Sequence, residues 1–233
     1  MIDFITLSCD PGKIQTLSEG VEACAQGSGH EWAIQVVDGE RYDLFSGYNW
    51  GAQRTHGEIL VFVHDDVRLL ANRCALRQAL DLLEQAETGF VGVAGNRTVL
   101  ADAGGWWREE TLADARGMAG HPSPENEFGL HWNVWPYLSC AVFGRVAVLD
   151  GVLLMCHRRT FDRLDGFAAA CYQGYHFYDI DITFRATLAQ LANYAVPFPL
   201  YHESLGFPDD QWETNRQIFL SRFGSFLPFT LSE

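Results

Sequence analysis

The chain has 233 residues and a single lysine, Lys13; its other fifteen cations are arginines, set against 30 Asp and Glu for a formal net charge of −14. No basic stripe exists for a phosphate backbone to lie on, which excludes nucleic-acid binding of the usual electrostatic kind and a polybasic membrane surface. The longest uninterrupted apolar runs are five or six residues, far short of the roughly 20 that span a bilayer. The start, Met-Ile-Asp-Phe-Ile-Thr-Leu, has neither a basic segment nor a long apolar one, so no signal peptide is expected. The cysteines, Cys9, Cys24, Cys74, Cys140, Cys156 and Cys171, include no C-x-x-C pair. That spacing gives no support to a zinc or redox site, and buried free thiols in a reducing, cytoplasmic setting are expected. Internal repeats, low-complexity tracts and linkers are also missing. What is present is 48% hydrophobic and 13% aromatic residues, too apolar for a disordered tail and enough for one sizeable domain.

An acidic chain can still bind an anion if it has a local device: a metal ion, helix N-termini or a few placed arginines. The first hundred residues alternate strand and helix. Phe4–Leu7 reads as a strand, and Ile14, Leu17, Val21 and Cys24 recur at helical spacing. Trp32–Val37 reads as a strand stopping at Asp38-Gly39, and Leu44–Gln53 as a helix. Ile59–Val63 is the strongest strand, and its five consecutive apolar residues predict burial on both faces. Asn72 caps a helix running to about Glu87, and Phe90–Ala94 is another strand. This order predicts an α/β fold with an open, mostly parallel sheet and right-handed crossovers, whose ligands bind beyond the strand carboxyl ends.

Residues 96 to 133 read as a long irregular excursion. Trp106, Trp107, Trp132 and Trp135, in or beside it, are a candidate surface for stacking a sugar ring or a packed lid. Strands are expected over 142–149 and 152–156, helices over 160–164 and 178–191, and a last strand over 195–198. A polar loop then carries His202, Ser204 and Gly206, and Asp209-Asp210 caps a final helix.

Three places can carry chemistry. His64-Asp65-Asp66 follows the buried strand 59–63; carboxylates there are costly unless paired or metal-bound, and a hard divalent cation would both satisfy them and bridge to a diphosphate. The other reading is a solvated turn. Asp179 stands at a helix start, where the macrodipole favours its charge, either as a simple cap or as a proton acceptor. Its neighbour Asp181 has Arg185 at i,i+4 and reads as half of a structural ion pair. His202 is the third, a competent metal ligand or an ordinary structural histidine. Arg158 and Arg159 could touch phosphate or be solvated.

Together these segments resemble a family 2 glycosyltransferase of the GT-A type, and more closely the subgroup of streptomycin-cluster glycosyltransferase-like proteins. Gln35-Val36-Val37-Asp38 is similar to the family's V-V-D segment, and Tyr48-Asn49-Trp50-Gly51-Ala52 with Gly57-Glu58-Ile59-Leu60 to its N-x-G … G-E stretch. Val63-His64-Asp65-Asp66-Val67 falls on the D-x-D metal motif, and Asp150-Gly151-Val152-Leu153-Leu154-Met155 on a segment lining the donor sugar. His176-Phe177-Tyr178-Asp179-Ile180-Asp181 falls on the E-D catalytic-base motif, and His202-x-Ser204-x-Gly206 on the late metal histidine. Two positions depart from the pattern: His64 stands for the first aspartate of D-x-D, and Tyr178 for the glutamate of E-D.

The resemblance implies a single GT-A-like domain over residues 1–233, Rossmann-like, with a nucleotide-binding half (1–95) and an acceptor and catalytic half (96–233). It implies inverting transfer from a nucleotide-diphosphate sugar, UDP- or GDP-linked, to a glycan, lipid-linked or small-molecule acceptor. Asp179 would be the base. Asp66, His202 and His64 would hold Mn2+ or Mg2+. Asp38, Asn49, Asp65, Asp150 and Gly151 would contact the nucleotide or donor. A non-catalytic nucleotide-sugar-binding or accessory protein, or a sugar nucleotidyltransferase, remain the alternatives. The latter wants a Gly-rich basic loop, of which Ser8-Cys9-Asp10-Pro11-Gly12-Lys13 is a poor version.

Overall fold

The computed structural model describes residues 1–105, 108–121, 143–204 and 208–232. The readings of Trp106, Trp107, Trp132, Trp135, Cys140 and Gly206 lie outside the described residues.

The chain opens with β1 (Ile2–Ser8), α1 (Pro11–Ala25), β2 (Trp32–Asp38), α2 (Leu44–Arg54), β3 (Ile59–Val63), the short β4 (Val67–Leu69), α3 (Arg73–Leu83) and β5 (Thr88–Gly92). Local chemistry sets these boundaries. Asp10 caps α1, its Oδ1 accepting from the N–H groups of Gly12 (2.8 Å) and Lys13 (3.2 Å), with Pro11 opening the helix. Asp43 caps α2 through the Ser46 N–H (2.8 Å), and Asn72 caps α3 through Cys74 (2.9 Å). The second half holds β6 (Ala94–Asn96), β7 (Thr98–Val99), β8 (Ala115–Gly117), β9 (Gly144–Val146), β10 (Val148–Leu149) and β11 (Leu153–His157). After these come α4 (Arg158–Arg163), α5 (Tyr178–Leu188), β12 (Ala192–Ala195), β13 (Leu200–His202), α6 (Asp210–Phe223) and β14 (Phe229–Thr230).

Seven strands from both halves share one sheet in the order β2-β1-β3-β11-β5-β12-β9. β2, β1, β3, β5 and β12 point one way, so the sheet is mostly parallel; β11 and β9 run against their neighbours. β3 is wedged between β1 and β11, and Leu60, Val61, Phe62 and Val63 are fully buried, as expected of a strand covered on both faces. Phe62 meets Tyr48 of α2 and the rings of Phe161 and Phe167 at 4.9–5.1 Å between centroids. Of the five described cysteines, all free, Cys24 and Cys156 are buried as expected, whereas Cys9, Cys74 and Cys171 are exposed in turns or on a helix's outer face. No helix among the described residues is long and apolar enough to cross a membrane.

The reversal of β11 places residues far apart in sequence. Leu153 is paired with Val63, at the carboxyl end of β3, and His157 with Ile59, at its amino end. Asp150, Gly151 and Val152 therefore enter at the edge where β1, β2 and β3 leave. Arg158 exits at the opposite edge, donating to the carbonyls of Ala52 (2.7 Å) and Gly57 (2.8 Å) and to Thr55 (2.9 Å). Arg158 thus ties the amino edge of the sheet and is not near a phosphate at the carboxyl edge.

Asp181, fully buried on α5, ties that helix to α6. Its Oδ1 accepts from Arg185 (2.6 Å), the i,i+4 pair that the spacing indicated, and its Oδ2 from Arg222 (2.6 Å) and the Tyr172 hydroxyl (3.0 Å). Removing one member of a buried charge network costs about 3–5 kcal/mol because the partners lose their compensation. Asp181→Ala is expected to lower stability by about that amount in a urea titration; a loss below about 1 kcal/mol would show that the two arginines find other partners.

Candidate metal centre and active site

At the carboxyl edge three metal-ligand side chains converge. His64 and Asp66 follow β3. His202 ends β13, which was expected as loop but pairs antiparallel with β4 and sets His202 opposite Val67. Two backbone contacts fix this register: the Glu203 N–H donates to the Asp66 carbonyl (3.0 Å) and the Ser204 N–H to Asp66 Oδ2 (3.2 Å). His202 Nε2 lies 3.2 Å from Asp66 Oδ1 and 3.3 Å from His64 Nδ1, and one ligand atom from each residue falls within 4.8 Å of the others.

The electrostatics suit a cation. Burial, then the neighbouring His202, lowers the His64 pKa to about 4, so the ring is neutral near pH 7 with a lone pair to offer. Burial works to raise the Asp66 carboxyl, but the hydrogen bond and charge of His202, with help from His64 and Ser204, outweigh it and hold Asp66 well below the usual carboxylate range. The donor set, two imidazole nitrogens and an ionised carboxylate, fits a divalent transition ion better than Mg2+, which prefers an all-oxygen shell.

Asp179 sits beside this cluster. Phe177, at φ 70°, turns the chain into α5, and the Asp179 carboxylate accepts from the N–H groups of Gly151 (Oδ2, 2.8 Å) and Ile180 (Oδ1, 2.8 Å). Burial, and second the charge of Asp150, push its pKa up to about 7, against the pull of those N–H groups. Gly151 has no Cβ for a reason: one built there would run into the Tyr178 hydroxyl and the Cβ of Asp179. That hydroxyl donates to the Gly151 carbonyl (2.7 Å) and lies 2.7 Å from His64 Nε2. Burial raises the Tyr178 pKa well above that of a free phenol, so it stays protonated.

The remaining expected residues spread along the same edge or away from it. Asp65 accepts from Ser8 (2.7 Å) and pairs with Lys13 (3.4 Å), beside a cleft that Asp10, Thr16, Asp66 and Arg68 also line. Asp38 is exposed at the end of β2, its Oδ1 accepting from the Glu40 N–H (3.0 Å). Asp150 accepts from the Val152 N–H (2.9 Å). Asn49 is engaged on both sides by the Phe167 backbone, donating to its carbonyl (2.7 Å) and accepting from its N–H (2.9 Å). Its amide thus staples α2 to the segment after α4.

Sequence reading passed over four neighbours. Ser8 and Lys13 had a signal, a polar strand end followed by the chain's sole lysine. Ser204, 3.0 Å from His202 Nε2, had only its place in a motif. His121, whose ring packs edge-on to His202 at 5.3 Å, had none.

The model of a family described as "Glycosyltransferase like family" matches residues 4–223. A protein of Fuscovulum blasticum called "ATP synthase subunits region ORF 6" is 27% identical over 202 residues, covering 83% of this chain and 72% of that protein. Among solved structures, GalNAc-T7 with UDP, GalNAc and Mn2+ superposes with a TM-score of 0.61 at 12% identity, over 94% of this chain and 48% of its own. A mannosyltransferase from Pyrobaculum calidifontis in complex with GDP-Man and Mn2+ superposes with a TM-score of 0.56 at 13% identity, over 100% of this chain and 65% of its own. The chain therefore spans about half to two thirds of the length of these structural relatives.

The Asp179 environment has a consequence for stability. Its folded pKa is raised from 3.8 to about 7, so the folded chain keeps a proton that the unfolded chain sheds. Stability from this group is fully present below about pH 4 and is lost as pH rises through about 7. Asp179→Asn cannot ionise, so the Tm difference, variant minus wild type, is expected to grow between pH 4 and pH 8. A difference that stays flat or shrinks contradicts a carboxyl destabilised by burial.

Proposed function

The chain belongs to the glycosyltransferase-like family and has the GT-A-type fold, and from that premise we propose that it moves a sugar from a nucleotide-diphosphate donor to an acceptor hydroxyl with inversion. One observation carries the reading: three metal donors meet at the carboxyl edge of the sheet, and the backbone of Gly151 joins them to a carboxylate whose proton affinity lies near neutrality.

His64, Asp66 and His202 would hold the divalent ion, with Mn2+ favoured over Mg2+ by the two imidazoles. When bound, the ion neutralises charge on the departing diphosphate. Asp179 takes the proton of the acceptor hydroxyl as its oxygen bonds to the anomeric carbon and the bond from that carbon to the diphosphate breaks. A base with a pKa near the working pH combines an ionised fraction with real proton affinity, and the two N–H groups on its oxygens fix its direction without exhausting its lone pairs. Asp65 and Asp38, which follow β3 and end β2 on either side of β1, bind ribose and base. Asp150 raises the proton affinity of Asp179. Within the family, His176–Asp181 favours the streptomycin-cluster-like subgroup.

A melting panel of nucleoside diphosphates with and without Mn2+ tests the donor. UDP or GDP is expected to raise Tm only when Mn2+ is present; no response to any nucleotide would sink the proposal. Asp179→Asn is expected to lower transfer by at least 100-fold while leaving donor binding within a few-fold; retained turnover removes Asp179 as base, and donor binding without turnover in the wild type identifies a binding protein. His202→Ala is expected to weaken Mn2+-dependent stabilisation, and an unchanged Mn2+ response removes it as a ligand.

A further inference from the structure

The Tyr178 hydroxyl has hydrogen-bond contacts with two groups, and its single hydrogen can go to only one. Its oxygen lies 2.7 Å from the carbonyl oxygen of Gly151 and 2.7 Å from Nε2 of His64. A carbonyl oxygen only accepts, and two oxygens at that distance require a hydrogen between them. The phenolic hydrogen therefore goes to Gly151, the phenolic oxygen accepts from His64, and the hydrogen of the neutral His64 ring is on Nε2. The lone pair is then on Nδ1, the nitrogen that faces His202 Nε2 at 3.3 Å in the three-residue cluster. The other tautomer would place a hydrogen where the cation is to be held and leave two acceptors facing each other at 2.7 Å.

We propose that Tyr178 is a positioning residue that fixes the tautomer and ring orientation of His64, presenting Nδ1 to the metal and coupling the metal centre to the Gly151 backbone that orients Asp179. This rests on the metal-dependent reading given above. Three observations bear on it. The tyrosine is 2% exposed, so water does not compete for its hydroxyl. Its ring is held by Phe45, Tyr48 and Phe167 at 5.6–6.1 Å between centroids, which fixes the hydroxyl without help from His64. The N–H of Gly151 is committed to Asp179, so this one residue donates to Asp179 and accepts from Tyr178, two successive residues of α5. The two positions at which the chain departs from the family pattern, His64 and Tyr178, are the two in contact.

Tyr178→Phe keeps the ring and removes the bridge. Partners of this outer kind set metal affinity by about 10–100-fold, and a loss of that size is expected in Mn2+ binding measured by calorimetry or by the Mn2+ resonance signal, without any donor. The metal-free melting temperature reports whether the variant folds. Independently of folding, nitrogen-15 imidazole spectra of the metal-free wild type are expected to show His64 as the Nε2–H tautomer, and the folded variant is expected to show a mixture. A wild-type His64 protonated on Nδ1, or a folded variant with unchanged Mn2+ affinity, overturns the assignment. If the wild type binds no Mn2+ at all, the metal reading fails instead, and the imidazole spectra still decide what Tyr178 does to His64.

Discussion

The backbone of Gly151 is the contact on which the site depends. Its N–H holds the Asp179 carboxylate, its carbonyl receives the Tyr178 hydroxyl, and the space where a side chain would stand is filled by the first turn of α5. Any Cβ would push Tyr178 and Asp179 away together. Such a joint transmits position: the strand end, the helix start and the metal-ligand loop after β3 are fixed relative to one another by hydrogen bonds of 2.7–2.8 Å through the side chains of Asp179, Tyr178 and His64. This is preorganisation of the kind that costs nothing at the moment of reaction.

The joint exists because β11 runs against β3. In a purely parallel sheet the residues before a strand lie at its amino edge, away from the ligand crevice. Reversal brings the segment before β11 to the carboxyl edge instead, and sends Arg158 to the other side. The same accounting bears on how a chain with a net charge of −14 would accept the diphosphate proposed above. Its acids are not spread uniformly over the crevice: Asp66 is held by His202 and the Ser204 N–H, Asp179 holds its proton up to near neutrality, and Asp65 is shared between Ser8 and Lys13. The lone lysine thus occupies the same edge as the metal donors. An exposed pair of that sort contributes little stability, so its location matters more than its strength.

Much of the fold was legible from periodicity and caps. Ile59–Val63 was bounded to the residue, because five apolar residues between polar ones leave one solution for a doubly covered strand. Asn72 and Asp209 announced two helix starts through side chains that bond their own helix's N–H groups, whereas Asp10, legible only as part of a turn, caps a third. Weaker signals slipped: the strand expected over 195–198 lies at Ala192–Ala195, and His202, expected in a loop, ends a three-residue strand. Strands that short have no period to read, and their existence is decided by a partner far away in sequence.

The amino-acid sequence by itself determined the class of fold, the edge at which ligands gather, and the identity of the groups that can hold a metal or take a proton, because each of these follows from local pattern and side-chain chemistry. Only the tertiary structure decided how those groups act on one another. The reversal of β11, the pairing of β13 with β4, the engagement of Asn49 by Phe167 and the bridge from His64 to Tyr178 join residues 90 (Val63 and Leu153), 135 (Val67 and His202), 118 and 114 positions apart. Contacts at such separations leave no local periodicity in the sequence. They are set by which strand edge is free to pair and by which small residue lets two elements approach, and both are properties of the packed chain.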